Sequence, residues 1–213
     1  MKIAVLSESP ADEAAILILV QGLLGIEIQR VAFPAPRTRG WKGALNAVGL
    51  VTRHLHYRTD AEALIVTVDS DESPMHRHGD QSDLCDPKCR LCQLRAVART
   101  AQNDVRPRQG CGPIKIGLGV AVPAIEAWCL CGTDVHITEA AWVQSLSSRK
   151  FPYSKKELKQ RLYGCTEPVL EVETKCLVER ATQVVTGGGL PQLESFFPVG
   201  FGLLAKEVRS WLA

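Results

Sequence analysis

Five carboxylates stand at three kinds of place where a parallel sheet gathers its ligands: Glu8 with Asp12, Asp69 with Asp71, and Glu126. Each group comes after a short apolar run that reads as a buried strand. Lys2 to Leu6 runs into Glu8, Ala63 to Val68 into Asp69 and Asp71, and Ile114 to Val122 into Glu126. In an open parallel sheet the carboxyl ends of the strands form the crevice where ligands bind. Carboxylates gathered there repel one another unless something positive lies between them. A hard divalent cation with oxygen ligands, magnesium or manganese, answers that repulsion, and these five residues are its candidate ligands.

The elements that must position these acids alternate strand and helix, the pattern of an α/β fold. After the first strand, Pro10 to Gly25 has helical length, acids in its first turn and a closing glycine. Ile26 to Phe33 alternates apolar and polar residues like a strand, and Trp41 to Tyr57 reads as a helix. The third strand is Ala63 to Val68. A polar loop from Asp71 to Asp83 leads into a basic helix from about Cys89 to Gln102. The fourth strand ends at Pro123, which is expected to open the next helix. Beyond residue 135 helices dominate. Ser154 and Glu157 form a capping-box sequence with Gly164 as the stop, Thr166 to Thr186 is a longer helix, and Phe201 to Leu212 is the last. The expected organisation is a sheet domain over 1–134, carrying an insertion at 72–112, and a helical C-terminal extension over 135–213 packed on the same core.

With 213 residues, 46% hydrophobic and 23% charged, the composition is that of an ordinary globular protein. The longest strongly apolar run, Ala14 to Val20, is too short to cross a bilayer, and the N-terminus lacks a signal-peptide layout. A cytoplasmic protein without membrane contact is expected. Net charge is only +2, but the bases are clustered. One stretch holds Arg30, Arg37, Arg39, Lys42, Arg53 and Arg58, with no acid between its ends. A second runs through Lys88, Arg90, Arg95, Arg99, Arg106 and Arg108, and a third holds Arg149, Lys150, Lys155, Lys156, Lys159 and Arg161. Any one of these could be a solvated helix face. Together, around an acidic centre, they suit a phosphate-rich polymer.

Strand-Glu early and strand-Asp-x-Asp later, inside a βαβ pattern, resemble the Toprim domain of topoisomerases, primases and the overcoming-lysogenization-defect (OLD) nucleases. The local sequence is most similar to small stand-alone Toprim proteins related to those nucleases. Glu8-Ser9-Pro10-Ala11-Asp12 resembles their Glu-Gly-x-x-Asp motif, with serine in place of glycine. Val68-Asp69-Ser70-Asp71 and Ile125-Glu126-Ala127-Trp128 match the second and third motifs, and Phe197-Pro198-Val199-Gly200-Phe201 resembles the ending. The resemblance implies a Rossmann-like, mostly parallel sheet flanked by helices and a magnesium- or manganese-dependent nuclease. It implies Glu8, Asp69, Asp71 and Glu126 as catalytic residues and suggests that Asp69 and Asp71 hold one metal. Glu8 and Asp12 could hold a second, with Glu126 bridging or orienting water.

Phosphodiester cleavage needs an activated water, in-line geometry and neutralisation of the leaving oxygen, all of which paired divalent metals supply. Each acid also has a plainer role open to it. Glu8, Asp12 and Glu126 stand near helix N-termini, where a negative charge is worth about 0.3–1 kcal/mol. Asp69 and Asp71 could cap a tight turn. Trp128 reads as core. Lys115 and Lys206 offer themselves as assisting lysines, and neither is assigned.

Of eight cysteines, Cys85, Cys89 and Cys92 lie close together, with Cys111 beyond them and His76 and His78 before. This spacing could hold a structural zinc ion on Cys85, Cys89, Cys92 and Cys111, with either histidine as the other choice for fourth ligand, clamping the insertion. Reduced, partly buried thiols are the alternative. Cys129, Cys131, Cys165 and Cys176 read as small core residues, and His54 and His56 as part of a solvated or half-buried helix face. Gly117-Leu118-Gly119 lacks the third glycine of a dinucleotide site, and neither a P-loop nor a serine-hydrolase elbow is present. A nuclease is therefore the first expectation. A Toprim module that binds nucleic acid or regulates a partner, a second copy of itself included, is the next. A hydrolase of small phosphate esters is the third.

Overall fold

Each strand of the sheet is apolar along nearly its whole length because both of its faces are covered, as in other parallel sheets. The computed structural model of the chain describes residues 1–34, 40–75, 86–106 and 112–212. Among these, β1 (Lys2–Leu6), β2 (Gln29–Arg30), β3 (Ala63–Asp69) and β4 (Lys115–Ala121) form one all-parallel sheet in the order β2-β1-β3-β4. The fold is α/β, with helices on both sides.

Strand alternation divides the apolar residues between two cores. Ile3, Val5 and Ile65 point into one, with α1 (Pro10–Leu24), α7 (Leu170–Thr186) and α9 (Gly202–Ser210). Ala4, Leu6, Leu64, Val66 and Val68 point into the other, beneath α2 (Gly40–Arg58) and α3 (Arg90–Asp104). Between α3 and the end of the chain lie also α4 (Ile125–Cys129), α5 (Glu139–Ser148), α6 (Lys155–Tyr163) and α8 (Leu190–Phe196). Leu177, Leu193, Phe197 and Phe201 from the C-terminal third pack into the same core as Ile3 and Leu19. Helix α1 lies between the sheet and α7, which is why it is apolar nearly all round.

Several boundaries differ from the sequence expectation. The strand expected over 26–33 shrinks to Gln29–Arg30, tied to β1 by Gln29 N–H to Met1 O at 2.9 Å and Val31 N–H to Ile3 O at 2.9 Å. It is an exposed edge, so alternation there had no second layer to satisfy. Pro123 does not open α4. It sits in a cis Val122–Pro123 bond, and Ala124 is the N-cap. Helix α8 had no expected counterpart. The capping box at Ser154 and Glu157 is present, with Gly164 in the left-handed region at φ 74° as its stop.

Close approach decides two glycines of β4 and its neighbour. A Cβ on Gly119 would meet Thr67 Cγ2 at 2.9 Å and Leu204 Cδ2 at 3.0 Å, so α9 could not seat on the sheet. Gly200 accepts a hydrogen bond from Val120 N–H and donates to the buried carboxylate of Glu139 at 2.7 Å, closing the edge of β4. The Phe197 to Phe201 segment thus has a structural task, sealing the sheet edge and packing two phenyl rings into the core. Among the described residues no helix is long and apolar enough to cross a membrane.

Candidate functional site

The ends of β1, β3 and β4 deliver the five acids to one end of the sheet. Glu8 leaves β1 two residues past Leu6, and its Oε1 accepts the Asp69 backbone N–H at 2.9 Å. Asp69 closes β3. Its Oδ1 accepts the Ile125 N–H at 3.2 Å, and its Oδ2 accepts from Lys155 Nζ at 2.8 Å. Asp71 turns back in the left-handed region, at φ 48°, while Ser73 N–H closes the turn on Ser70 O at 2.9 Å. Its Oδ1 meets the same Lys155 ammonium at 2.6 Å, and its Oδ2 accepts from Arg90 at 2.7 Å. Asp69 and Asp71 therefore converge, though by way of a turn rather than by strand alternation. Both a turn and a cation account for the pair.

Asp12 is buried and belongs to the cap of α1. Ser9 N–H donates to its Oδ2 at 3.2 Å, and its own N–H donates to Ser9 Oγ at 3.2 Å. Glu126, in the first turn of α4, is 3% exposed; Tyr163 OH donates to its Oε1 at 3.3 Å, and Lys159 stands 3.8 Å away. Trp128 is fully buried against Phe201, with ring centroids 5.1 Å apart, as core packing requires. Trp142 Nε1 donates to Asp71 O at 3.0 Å and so pins the turn from α5.

The electrostatics mark these acids as one cluster. Burial, then the charge of Asp69, pushes Glu8 up to about 7. The same two causes push Glu126 up to about 7. Burial and the charges of Asp69 and Glu126 hold Asp12 well above the usual carboxylate range. Asp71 goes the other way: burial opposes it, but Lys155 and then Arg90 bring it below its ordinary value. Lys155 is raised, since Asp69 and Asp71 outweigh its burial. Asp69 stays raised all the same, because its burial costs more than Lys155 returns. One ammonium cannot satisfy two carboxylates with three more behind them.

Sequence reasoning placed all five acids at this end of the sheet but missed the bases that hold them. Lys155 was legible only as one lysine of a basic stretch, although its place just after the Ser154 cap fixes where it projects. Arg90 and Lys159 were likewise legible only as members of basic stretches, and Tyr163 arrives from α6 with no local signal. Lys115 bonds Trp211 O at 2.9 Å, and Lys206 is exposed on α9. Arg149 pairs with Glu72 and Arg161 with Asp134, so part of the third basic stretch is spent on internal pairs.

An all-oxygen donor set that is largely buried, Asp71 excepted, and has more carboxylates than nearby cations suits a hard divalent ion. Among the described residues, no three acidic, histidine or cysteine side chains surround a common point. In the described arrangement, the Lys155 ammonium stands between Asp69 and Asp71.

Of the zinc candidates, Cys85 and Cys111, like His76 and His78, lie outside the described residues. Cys89 is a buried free thiol at the start of α3, whereas Cys92 is half-buried and disulfide-bonded, so it offers no thiolate to the expected zinc ion. Cys129 is buried and its thiol is raised by burial; Cys131 and Cys176 are partly buried against the core. Cys165 is exposed in the loop after α6, contrary to the core expectation, because Gly164 ends the helix and turns the chain outward. His56 is buried rather than solvated, its Nε2 2.9 Å from Arg106 O.

Comparison with protein-family models, with curated proteins and with solved structures found no match to this chain.

Proposed function

We propose that this chain is a metal-dependent phosphodiesterase that cleaves nucleic acid, a stand-alone Toprim-like enzyme related to the OLD nucleases. One observation carries the reading: acids from three separate places in the sequence stand at one end of the sheet, close enough to raise one another, with Glu8 and Glu126 both pushed up to about 7. Folding to bury mutually repelling carboxylates costs stability and is typical of sites built for function. Glu8, Asp69, Asp71 and Glu126 would hold magnesium or manganese, with Asp12 beside them. Such an ion, when bound, supplies neutralisation of the leaving oxygen and an activated water.

The chain's own groups do the rest. Lys155 and Arg90 hold Asp69 and Asp71 and offer positive charge to a phosphate approaching from solvent. Glu126, held by the Tyr163 hydroxyl at 3.3 Å, would orient the attacking water beside the ion. The basic surface of α3 and α6 favours a polymer over a small ester. A role in bacterial defence or nucleic-acid processing belongs to the same proposal on the strength of the resemblance.

A second reading has an observation of its own. Arg90 and Lys155 already engage Asp69 and Asp71, as in a module that binds nucleic acid or a partner without cutting. Incubating the purified protein with plasmid, single-stranded DNA and RNA, in magnesium, manganese or chelator, separates the two. Metal-dependent cleavage is expected, with Asp69→Asn slower by roughly 100-fold or more, the scale of losing one charge-stabilising group. Equal cleavage by both proteins sinks the catalytic assignment, and binding without cleavage selects the second reading.

A further inference from the structure

An open cleft of about 530 Å³ is lined by Trp41, Ser73, Pro74, Pro87, Lys88 and Arg90, together with the acids Asp71 and Glu72. Its size falls within the range of about 300–1,000 Å³ that small-molecule sites occupy. Arg90 links the cleft to the acidic cluster: one nitrogen donates to Asp69 O at 2.5 Å, the other to Asp71 Oδ2 at 2.7 Å, and the guanidinium lies 4.9 Å from the centre of the Trp41 ring. Trp41 is a partly exposed plate near the start of α2, with the Arg90 guanidinium over its ring. Ser73 Oγ is buried without a hydrogen-bond partner, and Lys88 makes no ion pair among the described residues. An aromatic plate, a planar guanidinium, an orphan hydroxyl and a spare ammonium are more than packing requires.

We propose that this cleft is a stacking subsite for one unpaired base of a single-stranded nucleic acid, adjacent to the scissile phosphate. Both members of the Trp41–Arg90 pair line the cleft, and both are groups on which unpaired bases stack. Charge complementarity fixes the occupant. The lining acids are each paired, Asp71 with Arg90 and Lys155 and Glu72 with Arg149, which leaves Lys88 to attract the backbone phosphate, while the walls of Trp41, Pro74 and Pro87 take an apolar ring face. Ser73 Oγ offers a hydrogen bond to a polar edge. A base held inside a duplex could not present its face here, so the subsite selects single strands, loops or frayed ends. This inference deepens the nuclease reading by naming its substrate class, and it rests on that reading for the position of the phosphate.

The experiment reads binding, so it succeeds or fails apart from cleavage. Anisotropy of a labelled single-stranded oligonucleotide is titrated with the full chain in chelator. The comparisons are a duplex of equal length, the same oligonucleotide made abasic, and a mononucleotide as competitor. The wild-type protein is expected to prefer the normal single strand to both the duplex and the abasic strand. Trp41→Ala is expected to weaken single-strand binding by about 5- to 150-fold, the worth of one stacked base, and to leave abasic binding unchanged. Trp41→Phe should recover most of the loss. Equal loss on normal and abasic strands would show a merely structural tryptophan and overturn the proposal, as would an unchanged affinity in Trp41→Ala. A mononucleotide competing as well as the oligonucleotide would overturn the polymer assignment. If cleavage is absent while these binding results hold, the catalytic reading fails and the subsite stands.

Discussion

Replacing the buried Glu126 by glutamine should stabilise the protein, which is the reverse of what a structural acid would do. The carboxyl group is 3% exposed and is pushed from 4.5 up to about 7, first by burial and then by Asp69. A carboxylic acid with a raised value in the fold penalises folding fully above pH 7. The penalty shrinks as pH falls from 7 to 4.5 and is gone below 4.5. At about 1.4 kcal/mol per pH unit, the full penalty reaches roughly 3 kcal/mol. Asp12 and Asp69 share the cluster, and protonating one relieves the others, so about 2 kcal/mol is expected from Glu126 alone. Glu126→Gln removes that charge, keeps the shape and keeps an oxygen for Tyr163. Urea titrations in chelator at pH 8 should show a higher midpoint with an unchanged slope, and the melting temperature should rise by about 4–8 °C. The gain should fade through pH 7 to 4.5. Magnesium should then stabilise the wild-type protein more than the variant. A destabilised Glu126→Gln at pH 8, or a gain that does not change with pH, would refute the reasoning and mark Glu126 as an acid the fold needs.

Two further substitutions probe the same site and its support. Lys155→Met leaves Asp69 and Asp71 without their shared ammonium and should cost about 1–2 kcal/mol at pH 8, the lower part of the range for charged hydrogen bonds because Lys155 is 36% exposed. Thermal melts should show the loss shrinking below pH 4 and being reduced by added magnesium; a magnesium-insensitive loss would count against a cation site there. Gly200→Ala would drive a methyl group into the Val120 carbonyl oxygen, with Glu139 Oε2 at 3.2 Å on the other side. It should lower stability by about 1–3 kcal/mol in urea titrations, and an unchanged midpoint would show that the β4 edge is looser than described.

Much of this protein is written in local patterns. The runs at Lys2 to Leu6, Ala63 to Val68 and Ile114 to Val122 could only be strands buried on both faces, and an acid just past each such run must lie at the carboxyl end of the sheet. Caps such as Ser154 with Glu157 are equally local, because their hydrogen bonds close within three residues. Those short-range rules yield the α/β class and put Glu8, Asp69, Asp71 and Glu126 at one end of the sheet. The charge balance of that edge is different in kind. Lys155 reaches Asp69 from 86 positions away, and Arg90 grips Asp71 while bracing Trp41 from another helix. Such partners are chosen by how α3 and α6 pack on the sheet, and packing depends on shape across the whole core rather than on spacing along the chain. One expectation failed for the same reason: Gln29–Arg30 is short because nothing covers that edge; the burial of Asp12 where α7 lies over α1 was likewise beyond local reading. Sequence alone determined which acids would meet; only the tertiary structure decided which cations meet them, how deeply they are buried and therefore which of them titrate near neutrality.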